Sequence, residues 1–184
     1  HELDNIKSFA KRVAFCKMSY PQIGKGSARR VFDIGEGKVL KLAFNNKGLA
    51  QNNVEADRCL HDIYGKVLPK IYDCSFKDFY LVCDKAQNVG ASVRNKLLGV
   101  DFNELHYYFG YVMGEKYHND ITPSLKARCE ASSVLQDIVS MIFDFDICWQ
   151  DLAHRSAWGT VNGRLVVRDY GLTRSVWNDY YSKS

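Results

Sequence analysis

The sequence predicts an α+β fold, with a small antiparallel sheet and one inserted helix in the first half and a reduced, mainly helical second half. Three observations carry this. Alternating apolar residues on both sides of Gly35-Glu36-Gly37 read as an antiparallel hairpin. Beyond Asp101 the apolar spacing changes to that of helices. Near the end Asn162-Gly163 suits a type I′ turn, in which both central residues need φ > 0, and the apolar run Leu165 to Val167 follows it. The expected division is an N-terminal helix over 1–19, a sheet lobe over 20–86 and a helical lobe over 87–184.

Composition excludes several classes. A chain of 184 residues with 46% hydrophobic and 25% charged residues can bury a real core, which argues against wholesale disorder. No apolar run approaches the roughly 20 residues that span a bilayer, and no charged-then-apolar leader opens the sequence. A soluble, cytoplasmic protein is expected, with His1 read as a tag remnant or a trimmed start. The net charge of +4 is dispersed apart from Lys25, Arg29 and Arg30, so no nucleic-acid stripe is expected. Cys16, Cys59, Cys74, Cys83, Cys129 and Cys148 form no CxxC pair and have no histidine at zinc spacing, and they read as reduced core thiols.

The elements follow in order. Leu3, Ile6, Phe9, Ala10, Val13 and Ala14 recur at helical spacing, and Ser19-Tyr20-Pro21 ends that helix. The hairpin comes next. A helix is expected over Asn46 to Tyr64 with Gly65 as its stop, and Glu55 within it reads as a solvated surface carboxylate. Leu68 to Cys74 and Phe79 to Cys83 read as strands. Asn88 to Val100 reads as a polar connector. Asp101 caps a helix through Tyr117, and Thr122-Pro123 opens another that runs to about Phe145, proline being tolerated in the first turn.

Two places carry chemistry. Gly24 and Gly26 lie before the first hairpin strand, where a turn without β-carbons can offer N–H groups to phosphate oxygens. Asp151 and Asp169 flank the Asn162-Gly163 hairpin, and two carboxylates held so can divide the work of a proton acceptor and a metal ligand.

In this order the parts resemble the protein kinase fold, over roughly Ile23 to Thr173. Asp169-Tyr170-Gly171 looks like that family's Asp-Phe-Gly, and Val39-Leu40-Lys41 like its Val-Ala-Ile-Lys. The resemblance implies that Gly24 and Gly26 cover the phosphates of ATP and that Lys41 contacts its α and β oxygens, with Glu55 pairing to Lys41. It also implies that Cys83 gates the adenine pocket while the backbone of Asp84 and Ala86 bonds the base. Asp151 would accept the hydroxyl proton and Asp169 would hold Mg²⁺.

The departures are as specific. Arg29 replaces the third glycine, which opposes closure on the phosphates and puts a guanidinium where it can reach one. Trp149-Gln150 stands for His-Arg before the catalytic aspartate. Ser156, or Ala157 after a one-residue shift, stands for the asparagine that holds a second metal, and a serine hydroxyl binds Mg²⁺ only weakly. Arg168 places a positive charge beside Asp169, while His154 and Arg155 read equally as an exposed loop pair. Few residues follow Gly171, so the peptide platform of a kinase is expected to be missing, as in the small kinase-like proteins of bacteriophages that the chain resembles. The resemblance implies an ATP-dependent phosphotransferase acting on protein hydroxyls. The alternative is a pseudokinase, a catalytically weak or dead binding module that occupies or inhibits a target protein.

Overall fold

The computed structural model describes residues 2–115 and 121–182. Its first half is built on a five-stranded antiparallel sheet of β1 (Gln22–Lys25), β2 (Arg29–Gly35), β3 (Lys38–Ala43), β4 (Ile71–Cys74) and β5 (Tyr80–Asp84), in the order β1-β2-β3-β5-β4. The β2–β3 turn carries left-handed φ at Gly35, Glu36 and Gly37. Central strand β3 is buried on both faces because each has a cover. Leu40 and Leu42 meet Leu3, Cys16, Phe32 and Tyr80 under the N-terminal helices. By the period of two, Val39 and Lys41 point the other way, toward a cleft.

The N-terminal helix is interrupted, not continuous as expected. α1 (Glu2–Asn5) and α2 (Phe9–Ser19) are separated by Ile6-Lys7-Ser8. The break lets α1 fold back on Arg12, whose buried Nε donates to the Leu3 carbonyl at 3.3 Å while its guanidinium lies 3.2 Å over the Phe79 ring. Helix periodicity saw the apolar face but could not see that a cation would seat the turn.

Capping splits two more expected helices. The Asn46–Tyr64 segment is α3 (Asn46–Glu55) and α4 (Arg58–Tyr64), because the Asp57 carboxylate accepts from Leu60 N at 3.1 Å and starts a new helix. The segment from Pro123 is α7 (Pro123–Ala131) and α8 (Ser133–Phe145), with Ser132 capping the second. Between them in sequence lie α5 (Ala91–Leu98) and α6 (Phe102–Val112), the latter opened by a capping box of Asp101 and Glu104. The Tyr117 end expected for α6 lies outside the described residues. α5 replaces the expected polar connector, and Gly99, at φ 81°, is its left-handed C-cap and not a loop glycine.

The helical part buries one large cluster from α4, α6, α7 and α8, including Leu60, Leu105, Leu135, Ile138 and Met141. After it come α9 (Trp149–Leu152), a 3₁₀ turn at Arg155–Ala157, and the hairpin of β6 (Trp158–Val161) and β7 (Arg164–Val167). Asn162 and Gly163 have φ of 51° and 77°, the I′ geometry their identities demand. A last helix, α10 (Arg174–Tyr180), capped by Thr173, was not expected.

All six cysteines are free, but only Cys16, Cys83 and Cys129 are buried; Cys59 and Cys74 are exposed, against the core reading. No described helix is long and apolar enough to cross a membrane.

Candidate functional site

A cleft of about 680 Å³ opens between the sheet and the helical part, lined on one side by Gly24, Gly26, Val31, Val39, Lys41 and Cys83, and on the other by Asp151, Ser156, Arg168, Asp169 and Leu172. Its floor is ionic. Glu55 ends α3 with its carboxylate fully buried, so the solvated reading of this residue is overturned. Its Oε2 accepts from Lys41 Nζ at 2.5 Å. Its Oε1 accepts from Arg29 at 2.7 Å and from the amides of Tyr170 and Gly171 at 3.3 and 3.1 Å. Burial alone would push this carboxyl up, but the Arg29 and Lys41 charges and hydrogen bonds more than offset it and hold it at about 2.

A folded value below the ordinary 4.5 makes Glu55 stabilising above the unfolded value, and that stability drains as pH falls through the window between 4.5 and about 2. Acidification from about pH 5 to pH 3 is therefore expected to lower the melting temperature more steeply in the wild type than in Glu55→Gln, as a pH series of thermal melts would read.

Arg29, expected to oppose closure over the cleft or to reach a phosphate, borders the cleft with its guanidinium already held by carboxylates. It is buried beneath the turn, pairing with Glu55 and, at 2.7 Å, with Oδ1 of Asp169, and it reaches Asn52 Oδ1 at 3.3 Å. Its position at the start of β2, opposite Ala43 of β3, brings it next to α3. Two cations, Arg29 and Lys41, thus balance two carboxylates, Glu55 and Asp169.

The Asp-Tyr-Gly stretch is fastened to this floor. Lys41 Nζ donates to the Arg168 carbonyl at 2.6 Å, and buried Tyr170 sends its hydroxyl toward the Glu55 carbonyl and His61 Nε2 at 3.4 and 3.1 Å. Gly171 is required by close approach: a β-carbon there would stand 2.6 Å from the Gln51 carbonyl of α3.

The remaining expected residues fall as follows. Gly26 lines the cleft, but its N–H donates to the Arg29 carbonyl at 2.9 Å and is not offered to a phosphate. Cys83, at the cleft wall, is almost fully buried, and burial pushes its thiol up to about 11. The Asp84 N–H is taken by the Lys70 carbonyl at 3.0 Å, and both Asp84 and Ala86 line the cleft. Asp151, on α9, is part-buried, and burial together with the Asp169 charge raises its carboxyl. Ser156 faces the cleft while Ala157 joins the core, so of the two only the serine is placed near a ligand. Arg168 turns from Asp169: its side chain donates to the Ser156 carbonyl at 2.8 Å and to Asn88 at 2.9 Å.

Residues not singled out from sequence complete the site. Gln51 and Asn52 share the Glu55 face of α3, a polar pattern at helical spacing that would have marked it. Trp177 of α10 and Tyr181, just past its end, line the cleft mouth with rings stacked 5.5 Å apart, and the Tyr181 hydroxyl meets Ser27 Oγ at 3.1 Å and Gln51 Nε2 at 3.2 Å.

No family model and no curated protein matches the chain. Among solved structures, SAICAR synthase from Saccharomyces cerevisiae, complexed with SAICAR, is similar over 82% of this chain and 73% of its own, with 12% identity and a TM-score of 0.40. At that level the likeness carries no argument about function. The site therefore rests on its own geometry.

The donor set admits Mg²⁺ only in a sparse form. Among the described residues no three His, Cys, Asp or Glu side chains converge on one point. Mg²⁺ held by one or two carboxylates, substrate phosphates and waters needs no such cage, and the partly exposed Asp169 suits that mode. The cleft volume lies within the ~300–1,000 Å³ usual for small-molecule and cofactor sites.

Proposed function

We propose that the cleft binds ATP with Mg²⁺ and that the protein is a phosphotransferase of protein kinase type acting on protein hydroxyls. The observation that carries the reading is the Lys41 ammonium, fixed between the Glu55 carboxylate at 2.5 Å and the Arg168 carbonyl at 2.6 Å on the wall of a cleft that Asp169 and Asp151 share. A lysine so oriented is a positioned charge for phosphate oxygens, and phosphoryl transfer asks chiefly for positioned charge. Asp169 and Ser156 would hold the metal, which when bound neutralises charge developing on the phosphates. Asp151, with its carboxyl raised by burial, is the group suited to take a proton from an acceptor hydroxyl.

One observation favours a second reading, that of a pseudokinase used as a binding module. The carboxylate expected to hold the metal already has a cationic partner in Arg29, at 2.7 Å. Phosphate release and transfer to a generic protein acceptor, measured with Mg²⁺-ATP, separates the two. The enzyme reading expects turnover that falls roughly 10²–10⁴-fold in Asp151→Asn. No turnover above background in the wild type would leave only the binding module, and real turnover equal in the two proteins would remove Asp151 from the chemistry.

A further inference from the structure

We propose that α10 is a releasable latch on the cleft, with the Tyr181 hydroxyl at its tip occupying two polar groups of the cleft lining and holding the mouth closed.

The latch is rooted in the helical part. Arg174 N donates to the carbonyl of Asp146, the residue that caps α8, at 2.9 Å, and the Arg174 side chain pairs with the Asp146 carboxylate at 3.4 Å. The residues before it are held as well, Cys148 N donating to the Leu172 carbonyl at 2.8 Å and Ile147 bridging to Thr173. The other end lands on the opposite wall. There the Tyr181 hydroxyl meets Ser27 Oγ, next to Gly26 in the β1–β2 turn, at 3.1 Å, and accepts from Gln51 Nε2 of α3 at 3.2 Å. Lys47 Nζ of α3 lies 4.5 Å from the Tyr181 ring centroid. One segment thus spans both walls, and Ser27, Gln51, Trp177 and Tyr181 all line the cleft.

The hold is of a kind that releases. α10 has seven residues, too few for a helix to be stable by itself, and of these only Val176 is buried. A segment with so little buried apolar surface opens at a fraction of the cost of global unfolding. Its tip is kept down by the contacts of one tyrosine. Those contacts also use up cleft donors. The Gly26 N–H is spent on the Arg29 carbonyl, and the Gln51 amide and Ser27 hydroxyl are spent on Tyr181. A ligand gains the last two only by displacing the phenol, which makes the contact autoinhibitory.

Amide hydrogen exchange on the whole, ligand-free protein tests the latch in wild type, Tyr181→Phe and Ser27→Ala. The phenylalanine keeps the ring and loses both hydrogen bonds; the alanine removes one of them from the opposite wall, 154 positions away. The amides at positions 177, 181 and 182 close on the Thr173 and Trp177 carbonyls. Their exchange is expected to rise roughly twofold to tenfold in Ser27→Ala, the scale of one net hydrogen bond, and further in Tyr181→Phe, with the β2–β3 ladder unchanged. Exchange equal to wild type in either variant would overturn the latch. A second arm rests on the reading of the cleft as an ATP site. Mg²⁺-ATP should bind Tyr181→Phe more tightly than wild type, because a scarce open state weakens apparent affinity by its fraction. Equal or weaker binding by the variant would overturn the autoinhibitory role. No binding by either protein would defeat the ATP reading alone, the latch standing or falling on the ligand-free exchange.

Discussion

Glu55→Ala is expected to destabilise the protein by about 3–5 kcal/mol, the cost of leaving buried charge uncompensated. The reason is geometric. One carboxylate answers Arg29, Lys41 and the amides of Tyr170 and Gly171, so its removal strands two cations and two N–H groups together. For a chain of this length each kcal/mol moves the melting temperature by roughly 2–4 °C, so a fall of about 6–20 °C is expected in a thermal melt. Glu55→Gln keeps the volume but not the charge and should recover little of the loss. Adding Arg29→Gln to Glu55→Gln should cost much less than the sum of the two single changes, because the second substitution removes one of the stranded cations.

Arg29→Ala has the second large expected effect, and it acts on binding. In the wild type a metal ion bound at Asp169 would share it with the Arg29 guanidinium, which holds Oδ1 at 2.7 Å. Without the arginine both carboxylate oxygens are released, while Glu55 keeps Lys41 as its counterion. The Mg²⁺ concentration that half-saturates nucleotide binding is expected to drop roughly tenfold, the scale of one charge-assisted hydrogen bond. The same variant should melt earlier, since a buried pair has been opened. Titrating Mg²⁺ at fixed ATP in the two proteins reads the effect. Weaker nucleotide binding by the variant at saturating Mg²⁺ would mean instead that Arg29 turns to the phosphates when nucleotide enters.

Much of this was legible from residues alone. The two hairpins were, because Gly35-Glu36-Gly37 and Asn162-Gly163 name their own turns by backbone chemistry. So was the meeting of Lys41, Asp151 and Asp169 at one cleft, through motif order. Helix breaks were not. At Asp57 and Ser132 a polar side chain starts a new helix inside a pattern whose apolar period continues across it, so periodicity joined what capping separates. Arg29 was visible as an oddity but not as a solution: its place between Glu55 and Asp169 depends on packing between residues that are 26 and 140 positions away. Glu55 was misjudged from its own surroundings for the same reason, since what buries it comes from β2, β3 and the Asp-Tyr-Gly stretch. α10 lies beyond the Asp-Tyr-Gly motif, and its Thr173 cap is a readable start signal.

The central claim is that this cleft takes Mg²⁺-ATP through Lys41 and Asp169. A thermal-shift titration with Mg²⁺-ATP, on wild type and Asp169→Ala, tests it most directly. Stabilisation should grow with ligand, approaching about 2.7 kcal/mol at a hundredfold excess over Kd. It should be lost in Asp169→Ala and absent when Mg²⁺ is withheld. A wild-type melting temperature that does not move with Mg²⁺-ATP, or a shift of equal size in Asp169→Ala, would contradict the account.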